Sequence, residues 1–253
     1  METWREDFAN TPPFAHLAPW LGDLQSPDWP TLATLNALAE RRNLRNATGL
    51  PLRFAPQTRR CGQHDYEFGI YTSGLVPSRE RNWHDLFNAL IWLTFPATKA
   101  TLNAVHHAAL PQAANRTPAS DAATVFDESG LVLVGEDESL AELLAARRWR
   151  EALVLRRNDW RQIRASIVGH AVLEKLLTPW PGITTKSLFL KLPAETPPDQ
   201  LDSVIAQRWR STTITVPAAL FPLPVLGIPG WWPANEQADF YADEKVFRRP
   251  QLL

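Results

Sequence analysis

Histidine and acidic residues at helical spacing are the residues of this sequence best suited to chemistry. His84 and Asn88 are four residues apart, which places them on one face of a helix, and Asp85 lies beside them. Further along the chain, His170 and Glu174 repeat the four-residue spacing. An imidazole next to a carboxylate can act as a general base or bind a metal ion while the carboxylate orients the ring.

We predict that these two polar rows face each other across one site. The helices predicted to carry them span residues 82–95 and 159–177, and the second row also includes Ser166. A convergent site of this kind fits a metal-dependent or His/carboxylate-dependent hydrolase. The predicted catalytic residues are His84, Asp85, Asn88, His170 and Glu174, and the predicted ligands of a divalent metal are His84, Asp85, His170 and Glu174. The alternative for each row is an ordinary cap or hydrogen-bonded pair on a helix.

Two other groups of residues are weaker candidates for metal binding. Cys61 and His64 have the spacing of half a zinc site, but the chain has a single cysteine and no matching pair. Asp127 and Glu128 are adjacent carboxylates that could also bind a metal. The segment 124–134 (TVFDESGLVLV) predicts a β-hairpin that turns at these acids, so we expect a solvated turn there.

Charge and composition leave other function classes open. Seven arginines and two acids lie between residues 147 and 164 with two interleaved tryptophans, a pattern that can follow a phosphate backbone. The net charge of the whole chain is only −1, so nucleic acid is not the favoured ligand. A non-catalytic binding or scaffold protein is the other alternative, with a protein partner held by the Trp-rich and Pro-rich ends of the chain.

The helix that carries the first polar row is the clearest element of the sequence. Asn82 predicts its N-cap, and Asp85 follows where a carboxylate favours a helix N-terminus. Pro96 ends or kinks this helix, and a second one is predicted to run roughly from Ala97 to Ala109. We therefore expect an αα-hairpin at the centre of the core. Another aligned polar row on the second helix consists of Lys99, Asn103 and His107.

The remaining patterns predict a mainly helical α+β fold. The other predicted helices span 31–46, 137–147 and 198–209. Short strands are predicted at 52–55, 66–71 and 187–192, in addition to the hairpin at 124–134. We expect a single domain over 1–253. Its irregular ends, a Pro/Trp-rich arm at 1–30 and a Pro/Trp-rich tail at 211–253, are expected to pack on the core through aromatic side chains.

The sequence favours a soluble protein of the cytoplasm. The charged, proline-containing N-terminus does not resemble a secretory signal. Residues 211–235 are uncharged, but five prolines exclude a regular membrane-spanning helix there, and no membrane association is expected. A single cysteine cannot form an internal disulfide, which fits a reducing compartment.

Several of these motifs together resemble a known family, the proteobacterial domain of unknown function 3025. The resemblance covers roughly residues 15–250 and implies a bacterial source, but it brings no established reaction or ligand. The residues that match the family are Arg79-Glu80, the run Asn82 to Leu90 (NWHDLFNAL), Phe95-Pro96, Lys99, Leu102-Asn103, Gly169 to Ala171 with Glu174, Leu223 to Trp231, Asn235, Phe240-Tyr241, Asp243 and Val246 to Arg248.

Overall fold

The structure is a computed structural model that describes residues 2–5, 7–24, 28–58, 62–109 and 117–249. Its fold is α+β and mainly helical, as predicted. The helices are α1 (Ala18–Leu21), α2 (Leu32–Arg41), α3 (Gln63–Ser73), α4 (Trp83–Thr94), α5 (Pro96–Ala109), α6 (Pro118–Ser129), α7 (Glu138–Ala145), α8 (His170–Lys175) and α9 (Pro198–Arg210). The strands are β1 (Arg53–Pro56), β2 (Leu75–Ser78), β3 (Gly130–Gly135), β4 (Arg164–Ile167), β5 (Thr184–Lys191) and β6 (Phe221–Pro224).

A mixed four-stranded sheet in the order β4-β3-β5-β6 forms the scaffold behind the helices. β3 runs parallel to β5 and antiparallel to β4, while β6 runs antiparallel to β5. Every residue of β3 is buried, as its continuous apolar sequence GLVLVG requires for a strand covered on both faces. A separate small sheet pairs β1 and β2 in parallel.

The predicted αα-hairpin is confirmed in α4 and α5. The Asn82 side chain accepts a hydrogen bond from the backbone N–H of Asp85, and every residue from Leu86 to Thr94 is buried. The next helix begins at Pro96, and its first free N–H groups donate to the carboxylate of Asp202 on α9. This buried carboxylate therefore caps α5 from a distant part of the chain.

Both ends of the chain pack on the core through aromatic residues. Trp4 stacks on Trp83 at the start of α4, with ring centroids 5.1 Å apart, and Trp29 contacts both rings. The Glu2 carboxylate accepts a hydrogen bond from the backbone N–H of Trp83. At the other end, the buried ring of Phe247 packs against Trp149. The arm therefore fixes the first turn of the helix that carries His84.

Two predicted β segments are helical in the structure. Residues 66–71 lie in α3, which ends at Gly74 in the left-handed conformation. The predicted hairpin at 124–134 is wrong, because residues 118–129 form α6 and the strand β3 begins only at Gly130. Thr117 caps α6, a proline occupies its first turn, and Ala122, Ala123 and Phe126 form its buried face.

The predicted helix over 159–177 is also wrong. Its first part is a 3-10 turn, its middle is β4, and only His170–Lys175 is α-helical. Ser166 therefore lies on a strand that pairs with β3, away from any helical row. Pairing with the buried β3 overrides the helical pattern of this segment.

The proline-rich tail contains one regular element that the sequence pattern hides. β6 includes Pro222 and Pro224 and lies at the edge of the sheet, where a missing N–H is tolerated. None of the helices in the described part of the chain combines the length and the apolar composition of a membrane-spanning helix.

Candidate functional site

Three side chains from three separate segments converge at one point. One ligand atom from each of His84, Glu128 and His170 lies within 4.8 Å of the other two. The two imidazole Nε2 atoms are 3.0 Å apart, and His170 Nε2 is 3.7 Å from Glu128 Oε1. Two ligands bound at about 2.0–2.1 Å to one ion lie roughly 3.0–3.4 Å apart, so these spacings approach those of a metal centre.

The arrangement of three helices brings the side chains of His84, Glu128 and His170 together. His84 lies in the first turn of α4, Glu128 near the end of α6, and His170 at the start of α8. Gly169 lets α8 begin directly against the end of α6, because a Cβ there would come within 2.5 Å of the Ser129 Cα. The backbone N–H of Gly169 donates to the carbonyl of Gly130 at 2.9 Å.

Glu174 fixes the orientation of His84. Its Oε2 is 2.9 Å from His84 Nδ1. Because an ionised carboxylate only accepts hydrogen bonds, this contact places the imidazole proton on Nδ1 and leaves a lone pair on Nε2. That lone pair is directed toward His170. A carboxylate that holds the distal nitrogen of a histidine in this way is the usual second shell of a metal site.

His170 is a neutral imidazole with one unpaired nitrogen. Its side chain is buried, and burial lowers its pKa to about 3. The Nδ1 atom is buried without a hydrogen-bond partner, and Asp127 Oδ2 lies 3.8 Å away. A proton on Nδ1 would be directed toward Asp127 and would leave the lone pair of Nε2 beside that of His84. Two converging lone pairs and a nearby carboxylate favour a cation between them.

Lys99 holds Asp127 in place. Its ammonium group donates to both oxygens of Asp127 at 2.6 and 2.8 Å and to the side-chain oxygen of Asn88 at 2.8 Å. Burial is the largest influence and pushes the pKa of Asp127 up, but the charge and hydrogen bonds of Lys99 together with the neighbouring His170 and His106 outweigh it, and the pKa lies below its usual value. Asp127 is therefore an ionised group fixed next to His170.

The three converging residues line a cavity of about 810 Å³. α3 forms another wall of this cavity with Gln63, Tyr66 and Glu67. Two effects raise the pKa of Glu128: burial, which is the larger, and the negative charge of Asp127. The cavity is large enough for a small organic molecule beside the three converging residues.

The sequence-predicted residues occupy three kinds of position here. Glu174 Oε2 lies 2.9 Å from His84 Nδ1, and His84 Nε2 lies 3.0 Å from His170 Nε2, so the two predicted rows do meet. Asp85 lines the cavity, but its two oxygens accept from the side chain of Arg79 at 2.8 and 2.9 Å. Asn88 binds Lys99 and donates to the hydroxyl of Tyr66.

The polar row predicted on α5 does not act as one group. Lys99 and Asn103 are buried, whereas His107 lies away from the cavity and stacks on Tyr71 at 3.7 Å. Cys61 lies outside the described residues, and His64 is exposed next to Asp65. Four of the seven arginines between 147 and 164 already bind groups of the protein. These are Arg148, Arg156, Arg157 and Arg164.

The sequence patterns assign Glu128 and Asp127 to the wrong secondary structure. Those patterns predict a solvated hairpin turn for them, but they lie in the last turn of α6, and both carboxylates lie within 3.8 Å of His170. The signal that locates them is Thr117-Pro118, a helix start that places both acids within one helix. The buried Lys99 is a second signal, because a buried lysine requires a carboxylate partner.

The fold and site define a mainly helical α+β protein with a polar cavity, in which two histidines and a glutamate have the arrangement of metal ligands. The sequence model of the family described as "Protein of unknown function (DUF3025)" matches residues 52–251. This chain belongs to that family, as the resemblance of its motifs indicates. No curated protein and no solved structure matches the chain significantly.

Proposed function

We propose that this protein is a metal-dependent hydrolase whose cation is held by His84, Glu128 and His170. The observation that carries the proposal is the convergence of their ligand atoms within 4.8 Å at the wall of a large cavity. Two imidazoles and one carboxylate are the protein ligands of many catalytic zinc sites. In this proposal Glu128 is a metal ligand and the predicted ligand Asp85 is not. Glu174 orients His84 instead of binding the metal.

A bound divalent cation would act as a Lewis acid and lower the pKa of a water molecule in the cavity. The side chains of the protein orient the residues that would bind this cation. Glu174 and Asp127 orient the two imidazoles, and Lys99 keeps Asp127 in position. The remaining cavity holds the substrate.

A metal-free hydrolase is the second candidate. It is supported by the 3.0 Å distance between the two Nε2 atoms, because in the tautomer with the His170 proton on Nε2 that N–H donates to His84, and by the contact of His84 with Glu174. In this arrangement Glu174 would orient His84 as a general base, following the logic of a carboxylate–histidine pair.

Metal analysis of protein purified without a histidine tag distinguishes the two candidates. We expect one zinc ion per chain, measured by mass spectrometry, and loss of zinc in the variants His84→Ala, Glu128→Ala and His170→Ala. His107→Ala is the matched control, because this histidine lies away from the cavity and should retain zinc. His64→Ala tests the weaker site predicted at Cys61.

The same variants separate a zinc hydrolase from other outcomes. Iron(II) bound with higher affinity than zinc would point to oxygen chemistry, which the same donor set also supports. Activity against ester and amide panels that persists after chelation, but is lost in His84→Ala, would favour the metal-free candidate. The absence of both bound metal and histidine-dependent hydrolysis would refute the proposed function.

A further inference from the structure

Glu67 is a further acidic group of the cavity, carried by a helix that holds none of the three converging residues. It lines the cavity from α3 together with Tyr66. Asn103, which is buried on α5, donates to the Glu67 Oε2 at 2.7 Å and to the Glu67 backbone carbonyl at 2.9 Å. No hydrogen bond from the described residues reaches its other oxygen. The carboxyl group is therefore held by Oε2 at the wall of the cavity, and Oε1 has no hydrogen-bond partner among the described residues.

The surroundings favour the protonated form of this carboxyl group. Burial and the negative charges of Asp127 and Glu128 raise the pKa of Glu67 to about 7, although Asn103 and the charge of Lys99 oppose this effect. The other ionisable groups of the described lining, besides Asp127 and Glu128, are Tyr66, Arg79, His84, Asp85, His106 and His170. Burial raises the pKa of Tyr66 well above its usual value, so it stays neutral.

The cavity also shows which substrates suit it. Arg79 is the only arginine or lysine among the described lining residues, and Asp85 binds its guanidinium group. The neighbouring Lys99 is bound by Asp127. An anionic substrate would therefore find no free cationic side chain in the described lining. Neutral polar substrates fit better, since the lining offers amide, hydroxyl and carboxyl groups.

We propose that Glu67 is the proton donor to the leaving group and that the substrate is a neutral amide. This inference rests on the proposed hydrolase function. An amide needs such a donor, because an amine leaves as a neutral molecule only after its nitrogen has taken up a proton. A cation held by His84, Glu128 and His170 would lower the pKa of the attacking water, and Glu67 would donate its proton to the leaving nitrogen.

The step balances with one water molecule. The water oxygen bonds to the acyl carbon, the C–N bond breaks, and the nitrogen takes the proton of Glu67. One proton of the water returns to Glu67, and the acid product releases the other. Glu67 therefore ends the cycle protonated, without any other reactant.

A matched pair of substrates tests this role in zinc-loaded protein. A p-nitroanilide needs protonation of its leaving nitrogen, whereas the p-nitrophenyl ester of the same acyl group has a leaving group that departs as an anion. We expect Glu67→Gln to slow anilide hydrolysis by roughly 100-fold or more and ester hydrolysis by less than about 10-fold. Asp65→Asn is the control, because this acid is exposed on the same helix.

Infrared difference spectra of wild type and Glu67→Gln give a readout that needs no substrate. In metal-free protein we expect the carbonyl band of a protonated carboxyl group at pH 6, which falls to about half near pH 7 and is absent in Glu67→Gln. An ionised Glu67 at pH 6 would overturn the proposal, and so would equal slowing of both substrates. If zinc binds and the ester is hydrolysed, these results overturn only the role of Glu67. If wild type neither binds zinc nor hydrolyses either substrate, the hydrolase function fails and this role fails with it.

Discussion

The buried pair of Lys99 and Asp127 gives the sharpest prediction of stability. Replacing Lys99 with Met removes three hydrogen bonds and leaves the Asp127 carboxylate charged at 16% side-chain exposure. Removing one partner of a buried ion pair costs about 3–5 kcal/mol. Two charge-assisted hydrogen bonds at roughly 1.5–3 kcal/mol each give a similar total. We therefore expect Lys99→Met to lower the free energy of unfolding by about 4 kcal/mol.

Urea denaturation at pH 7 measures this change, and Lys191→Met is the matched control. Lys191 binds Glu138 at 3.0 Å, but both side chains are more than half exposed. An exposed pair of this kind contributes about 0–1 kcal/mol, so the control should unfold close to wild type.

A double variant tests the cause of the loss. Lys99→Met combined with Asp127→Asn removes both charges, so it should recover a large part of the lost stability. A loss below about 1 kcal/mol in the single variant would refute the reasoning, since it would mean that the buried carboxylate does not depend on the lysine. A double variant no more stable than Lys99→Met would refute it as well.

Three other predictions concern separate contacts. Glu174→Gln should weaken zinc binding by roughly 10–100-fold in a calorimetric titration, because His84 loses the carboxylate that orients it; unchanged affinity would contradict this role. Gly169→Ala should cost about 1–3 kcal/mol in urea denaturation, because the added Cβ meets backbone atoms, whereas Gly69→Ala, which meets nothing within 4 Å, should not destabilise. Burial lowers the pKa of His16 to about 4, and its Nε2 has no partner. Between pH 6.5 and 4 only the unfolded chain binds this proton, so stability should fall by about 2 kcal/mol from pH 7 to 5, and His16→Leu should lack that component.

Local signals were enough to predict the helices with clear caps and breaks. Asn82 and Pro96 define α4 and the start of α5, and the amphipathic pattern from Pro198 defines α9. The strand at 187–192 is close to β5. In each case the residues that start or stop the element lie within it or next to it, so tertiary contacts were not needed to recognise it.

Segments whose structure depends on distant partners were predicted incorrectly. The run Tyr66 to Ile70 alternates like a strand, but its helix places Tyr66 and Glu67 against the side chains of α4 and α5. The segment around Ser166 has a helical pattern, but it forms a strand because it pairs with β3. Short apolar runs are ambiguous between helix and strand, and only pairing decides between them. The meeting of His84 and His170 is likewise a tertiary fact that local spacing could not establish.

The close junction between Gly130 and Gly169 has a consequence for ion size. The carbonyl of Gly130 accepts hydrogen bonds from the N–H groups of both Val168 and Gly169 at 2.9 Å, so the ends of α6 and α8 are tied through the backbone itself. The backbone segments that carry Glu128 and His170 therefore cannot separate without breaking these bonds. Calcium needs six to eight oxygen ligands at about 2.3–2.6 Å, which requires a wider and more flexible site. We expect the fixed junction to keep the site narrow, so that it binds small ions that prefer nitrogen ligands and does not bind calcium.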